Sequence, residues 1–162
     1  MNDLALAIEA ISGHASKAAQ AVLDADDAVQ AALVAGDEEA ALEAVAAYIA
    51  AEEAWAELRM KCARGGIAPE GHEERLRVRQ DEVIEVSADS PARGVFAAAA
   101  ATIDGPFQDY IKALDKEQAL TSDEAYDLDA EAEKVYLAAL KEHSLSDDQW
   151  QVISLFRSRL TK

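Results

Sequence analysis

Nine residues near the start of the chain, Leu4, Ile8, Ile11, Ala15, Ala18, Val22, Ala25, Val29 and Ala32, follow one another at alternating intervals of four and three. A mean interval of 3.5 residues puts all nine on one side of an α-helix and requires a second helix to cover them. Gly36 suits the left-handed position that ends such a helix. Asp37 then caps a second one, with Glu38 and Glu39 at its positive end. That helix carries the apolar stripe Val45, Tyr48, Ala51, Trp55, Leu58 and Cys62. It stops at Gly65-Gly66, with Arg59, Lys61 and Arg64 near its negative end. A turn as short as Ala35-Gly36-Asp37 makes the pair an antiparallel hairpin.

The rest of the chain also reads as helix. Pro69 opens a segment predicted to run helically through Glu82 to Val86. Leu76-Arg77-Val78-Arg79 alternates and Val83 to Val86 is β-branched, so a short β-hairpin over 75–87 competes with it. Ser90-Pro91 starts a helix carrying Val95, Phe96, Ala99, Ala100 and Ile103, which Asp104-Gly105-Pro106 is expected to break or kink. Phe107, Tyr110, Ile111 and Leu114 continue its apolar face. Thr121 to Glu124 reads as a capping box, followed by a second seam, Leu128, Ala132, Val135 and Ala139, thickened by Tyr136 and Leu140. Ser146 to Gln149 is another capping box, opening a last helix with Trp150, Ile153, Phe156 and Leu160. The fold class is all-α, a bundle of about six helices over one domain, 1–162, with residues 65–70 a weak seam between subdomains 1–64 and 70–162. Half the residues are hydrophobic, but 37 are alanine, so the helices must approach closely and a few large side chains supply the core volume.

Charge narrows the function. The net charge is −17. Residues 1–58 hold twelve acids against one base, residues 59–79 six bases against three acids, and the remainder is acidic again. Such a chain repels nucleic-acid backbone and anionic membrane surfaces. No apolar run spans a bilayer and no secretory signal opens the chain, which predicts a cytoplasmic location. Cys62 is the only cysteine, so no intramolecular disulfide forms. Glycine-rich phosphate loops and a nucleophile elbow are absent. None of His14, His72 and His143 has a glutamate three residues before it, which excludes the di-iron bundle pattern. No cofactor is expected.

Two site readings remain. Glu82-x-x-Glu85 and Glu124-x-x-Asp127 each place two carboxylates one turn apart on a helix, and four such donors from adjacent helices suit Mg²⁺ held against a triphosphate. In these four positions the chain resembles the all-α nucleoside triphosphate pyrophosphohydrolases. The resemblance implies that Glu82, Glu85, Glu124 and Asp127 hold the metal. The interval between the pairs is longer than is usual there and contains Pro91 and Pro106. The leading reading is not enzymatic. Asp24, Asp26, Asp27, Asp37, Glu38, Glu39 and Glu43 gather around the hairpin tip, and Glu52, Glu53 and Glu57 extend the charge along the second helix. Rows of carboxylates on a rigid hairpin suit a basic protein partner, and imitate the phosphates that a nucleic-acid-binding complex would hold, as an inhibitor of phage or bacterial defence type would. The basic segment Arg59 to Arg79 is expected to pair with the protein's own acids. The long first seam also leaves room for a homo-oligomer or a purely structural assembly.

Overall fold

The computed structural model describes residues 3–67, 70–119 and 123–161, with the side chains at 70, 117–119 and 123–126 left out of the description. It is all-α, 85% helical. Six α-helices run α1 Asp3–Ala35, α2 Glu38–Arg64, α3 Glu70–Asp81, α4 Ala97–Ala119, α5 Asp123–Glu142 and α6 Asp147–Arg159, with a 3₁₀ turn at Pro91–Gly94. Among the described residues there is no β-strand and no helix long and apolar enough to cross a membrane. The chain divides into two compact units, 1–95 with 152–162, and 96–151. The division therefore falls after Val95 rather than at 65–70, because α3 packs on α1 instead of opening a second subdomain.

In the first unit, α1 and α2 form the expected antiparallel hairpin. Gly36 adopts φ +75°, and its N–H and that of Asp37 close the end of α1 on the carbonyls of Leu33 and Ala32. The Asp37 carboxylate accepts from the Ala40 N–H at 3.0 Å, the expected cap of α2. Gly36 has a second reason to be glycine. A Cβ there would lie 2.6 Å from the Cβ of Pro91, whose 3₁₀ turn packs on the hairpin. The core holds Val22, Val29 and Leu33 from α1, Val45, Tyr48, Trp55 and Cys62 from α2, and Ile153 and Phe156 from α6. Tyr48 meets Phe156 edge to face at 5.2 Å.

Residues 70–86 adopt neither expected form in full. Helix α3 ends at Asp81, short of Val86, and no hairpin forms. The β-branched run Val83 to Val86 instead extends alongside the chain after α6. Ile84 N–H donates to the Arg159 carbonyl at 2.8 Å, Thr161 N–H donates to the Ile84 carbonyl at 3.1 Å, and the Thr161 hydroxyl bridges the Val86 N–H and C=O. A parallel partner 76 positions away in sequence outcompetes a local turn because it satisfies these backbone groups while burying Ile84.

In the second unit α4 packs on α5. Ser90 caps only the 3₁₀ turn, its hydroxyl accepting from Ala92 N–H, and α4 starts after Phe96, which takes φ +59°. Pro106 does not break α4. The preceding residue is Gly105, which has no Cβ to clash with the proline ring, and this lowers the cost of a helical conformation there. The seam of α5 is rotated from the expected one: Leu128 is 56% and Val135 48% exposed, whereas Tyr136, Ala139 and Leu140 are buried. Tyr136 sets that rotation. It stacks on Tyr110 at 5.4 Å, lies 5.5 Å from Phe107, and donates its hydroxyl to Asp147 at 2.6 Å. The capping box of α6 forms as expected, Ser146 Oγ accepting from Gln149 N–H and Gln149 Oε1 from Ser146 N–H. That expected at Thr121–Ser122 lies outside the described residues.

Candidate functional site

The acidic residues of the hairpin have separate fates. Asp26 is not on the surface at all; it is 1% exposed. Its Oδ2 accepts from Arg159 Nη1 at 2.7 Å, and Oδ1 accepts from Gln30 and, at 3.5 Å, from Arg79. Arg159, itself 6% exposed, also donates Nε to the Glu82 carbonyl at 2.9 Å and lies over the Phe156 ring. A buried carboxylate needs such a partner. The sequence holds a signal for it, since Asp26 stands four residues after Val22 and three before Val29 and so shares their face. Arg159, 133 residues away, carried no such signal.

Asp27 is exposed but engaged by Arg79, which also reaches Glu82 at 3.4 Å. Arg59 pairs with Glu73 at 3.8 Å, and Arg77 with Glu74 at 2.6 Å and Asp81 at 3.5 Å. The Arg77 guanidinium holds the Glu74 carboxyl below its usual range through a hydrogen bond and its charge. Four bases of the band, Arg59, Lys61, Arg77 and Arg79, thus pair with the protein's own acids, whereas Arg75 donates to Gln20 Oε1 at 3.2 Å. Between α2 and α3 lies a groove of about 560 Å³ lined by Trp55 and Leu76 together with Glu52, Glu53, Glu73, Arg59 and Arg77. Half-buried Glu52 accepts from Gln80 at 3.4 Å there.

Further acids lie on the outer side of α2 and at the tip. Asp24, Asp37, Glu38, Glu39, Glu43, Glu53 and Glu57 are exposed. Glu57 pairs with Lys61 at 3.3 Å within its own helix. Among the described residues no lysine or arginine pairs with Asp24, Glu39, Glu43 or Glu53. At 3.6 residues per turn, Glu39, Glu43, Glu53 and Glu57 fall within an arc of about 80° and span roughly 27 Å of helix. The exposed Ala46 and Ala50 occupy the middle of the same arc. The surface is therefore a flat alanine strip with a pair of glutamates at each end.

Of the two carboxylate pairs of the pyrophosphohydrolase reading, Glu124 and Asp127 stand one turn apart on α5 as expected, but Glu82 and Glu85 do not stand on a helix. Glu82 and Glu85 lie past the end of α3 on the extended run, where residues three apart face opposite sides. Asp127 is exposed on α5, and the Glu124 side chain is outside the described residues. Among the described residues no group of three or more His, Cys, Asp or Glu is arranged to hold a metal ion. Set against known proteins, the chain matches no family model, no curated protein and no solved structure.

Proposed function

We propose that this protein is a non-catalytic interaction module whose outer α2 face receives a basic helix or groove of a protein partner. One observation carries the reading. On α3, Arg77 and Arg79 are engaged by nearby acids, while Glu39, Glu43 and Glu53 of the α2 stripe pair with no described base. The uncompensated carboxylates steer a cationic partner, and the alanine strip between them lets a second backbone come close once it arrives. The finer form of the proposal is that the partner handles nucleic acid, with the two glutamate pairs occupying places where its basic groove takes phosphates.

The test uses a basic nucleic-acid-binding protein domain as the probe, titrated at 50 and 300 mM salt. Binding at low salt, a loss of tenfold or more at high salt, and competition by duplex DNA are the expected results. Replacing Glu39, Glu43, Glu53 and Glu57 with glutamine weakens binding far more than replacing Glu131, Glu133, Glu142 and Asp148 with their amides, which changes net charge equally. Salt-independent binding, or equal losses in the two variants, refutes the proposal. Absence of competition by DNA refutes the finer form alone.

A further inference from the structure

The groove between α2 and α3 has an order set by helical spacing. Glu52, Ala56 and Arg59 follow one another at four and three residues on α2, and Glu73, Arg77 and Gln80 do so on α3, so each trio shares one face. All six line the groove. The two helices are bridged at both of its ends, by Arg59 and Glu73 at 3.8 Å and by Gln80 and Glu52 at 3.4 Å. Seven residues of α2 separate the bridges, which makes the slot about 10 Å long. Half-buried Ala56 stands between them, and its single methyl leaves open what a longer side chain would fill. The charges of the slot are not balanced within it. Arg59 is taken by Glu73, and Arg77 by Glu74 and Asp81, neither of which lines the groove. Among the described residues no lysine or arginine pairs with Glu52 or Glu53. The donors at Glu52 are neutral, the Gln80 amide and the Tyr48 hydroxyl, and the Gln80 contact is long. A half-buried carboxylate is held more strongly by a cation than by neutral donors.

We propose that the groove takes an arginine side chain of the basic protein partner, its guanidinium donating to Glu52 and Glu53 and its methylene stem lying between Ala56 and Leu76. This deepens the reading of the α2 face and rests on it for the source of the arginine. The lining supplied by Trp55, Ala56 and Leu76 matches an aliphatic stem, which leaves water as it enters. Two adjacent carboxylates suit a planar fork with five donors better than the compact ammonium of lysine. The guanidinium is also the more weakly hydrated cation, so it loses less on entering a half-covered site. Glu53 belongs both to the groove and to the outer stripe of α2, so a partner steered by the stripe arrives at the mouth of the slot. The inserted arginine then anchors the contact, while the stripe sets the rate of encounter.

The probe is N-acetylarginine N-methylamide, with the corresponding citrulline amide as its uncharged isostere. Binding to the whole chain is read from the indole N–H resonance of Trp55, assigned by its absence in Trp55→Phe. A saturable shift in the millimolar range is expected for the arginine probe and none for citrulline. Glu52→Gln keeps the shape of the slot and should weaken binding about tenfold. Ala56→Leu fills the slot and should abolish it. Both variants should keep the circular dichroism spectrum of the wild type, and both leave Glu39, Glu43, Glu53 and Glu57 in place. Absence of a shift, an equal response to citrulline, or an affinity unchanged by Glu52→Gln would overturn the proposal. So would a basic domain that binds with full strength when residue 56 is leucine but loses affinity in the glutamine variant of the stripe, and that pair of results leaves the wider reading of α2 intact. Probe binding as stated, with no basic domain bound at low salt, would sink the stripe reading and leave the guanidinium preference of the groove standing.

Discussion

Replacing Arg159 with methionine should destabilise the first unit by about 3–4 kcal/mol. Asp26 is 1% exposed and Arg159 6%, and their charges meet at 2.7 Å. Removing one member of a buried pair leaves the other charge unsolvated, which costs about 3–5 kcal/mol. Two features move the value within that range. Gln30 and Arg79 remain beside Asp26 and soften the loss. The hydrogen bond from Arg159 Nε to the Glu82 carbonyl disappears as well, adding about 1 kcal/mol. Methionine keeps most of the side-chain volume, so the cavity contribution is small. With a urea m-value of about 2 kcal/mol/M, the midpoint should fall by roughly 1.5–2 M. The assay is urea unfolding at pH 7, followed by tryptophan fluorescence in a Trp150→Phe background, so that Trp55 alone reports, and by far-UV circular dichroism. The double variant Asp26→Asn, Arg159→Met should be more stable than the sum of the single losses predicts, by at least about 1.5 kcal/mol, because it leaves no orphaned charge. A loss below about 1 kcal/mol for Arg159→Met, or additivity within about 0.5 kcal/mol, would refute the reasoning.

Gly36→Ala should cost about 2–3 kcal/mol, combining the left-handed backbone with the approach of Pro91, and thermal unfolding would read this as a lower melting temperature. Ser146→Ala should cost about 1 kcal/mol through loss of the α6 capping box, measured by the same melts. Burial pushes the hydroxyls of Tyr48 and Tyr136 well above the ordinary tyrosine range, aided by Glu52 at the first and Asp147 at the second. Folded protein therefore keeps protons that unfolded chain releases, so stability is level below pH about 10 and falls above it. The expected slope is about 1.4 kcal/mol per pH unit for each tyrosine. Spectrophotometric titration at 295 nm should show both hydroxyls ionising only as the protein unfolds, and ionisation of either in folded protein would contradict the burial argument.

The local grammar of the chain was legible because each signal sits next to what it controls. Gly36 and Asp37 end one helix and start the next through bonds spanning three to five residues. The Ser146 and Gln149 box works in the same way. Phase and pairing across the chain were not legible. The α5 stripe rotates because Tyr136 has ring partners on α4 and a hydroxyl acceptor at Asp147, and residue spacing within α5 contains neither. The run Val83 to Val86 has β propensity, yet its partner is the stretch after α6, so a hairpin was the nearest available guess. Counting acids placed Asp26 on the surface, whereas its position between Val22 and Val29 pointed inward. The glutamates of the α2 stripe were found by counting, but their separation from the rest of the acidic residues depends on where Arg59, Arg77 and Arg79 reach.

The Arg159–Asp26 pair also sets a timetable for synthesis. The α1–α2 hairpin is complete once residue 64 has been made, but its buried acid waits for a base encoded 133 residues after it. At about 5–20 residues per second, Asp26 has gone without that partner for roughly 7–27 s by the time Arg159 is added. During that interval the nascent hairpin either admits water at Asp26 or holds its two helices apart there. Helix α6 therefore closes a pair of helices made long before it.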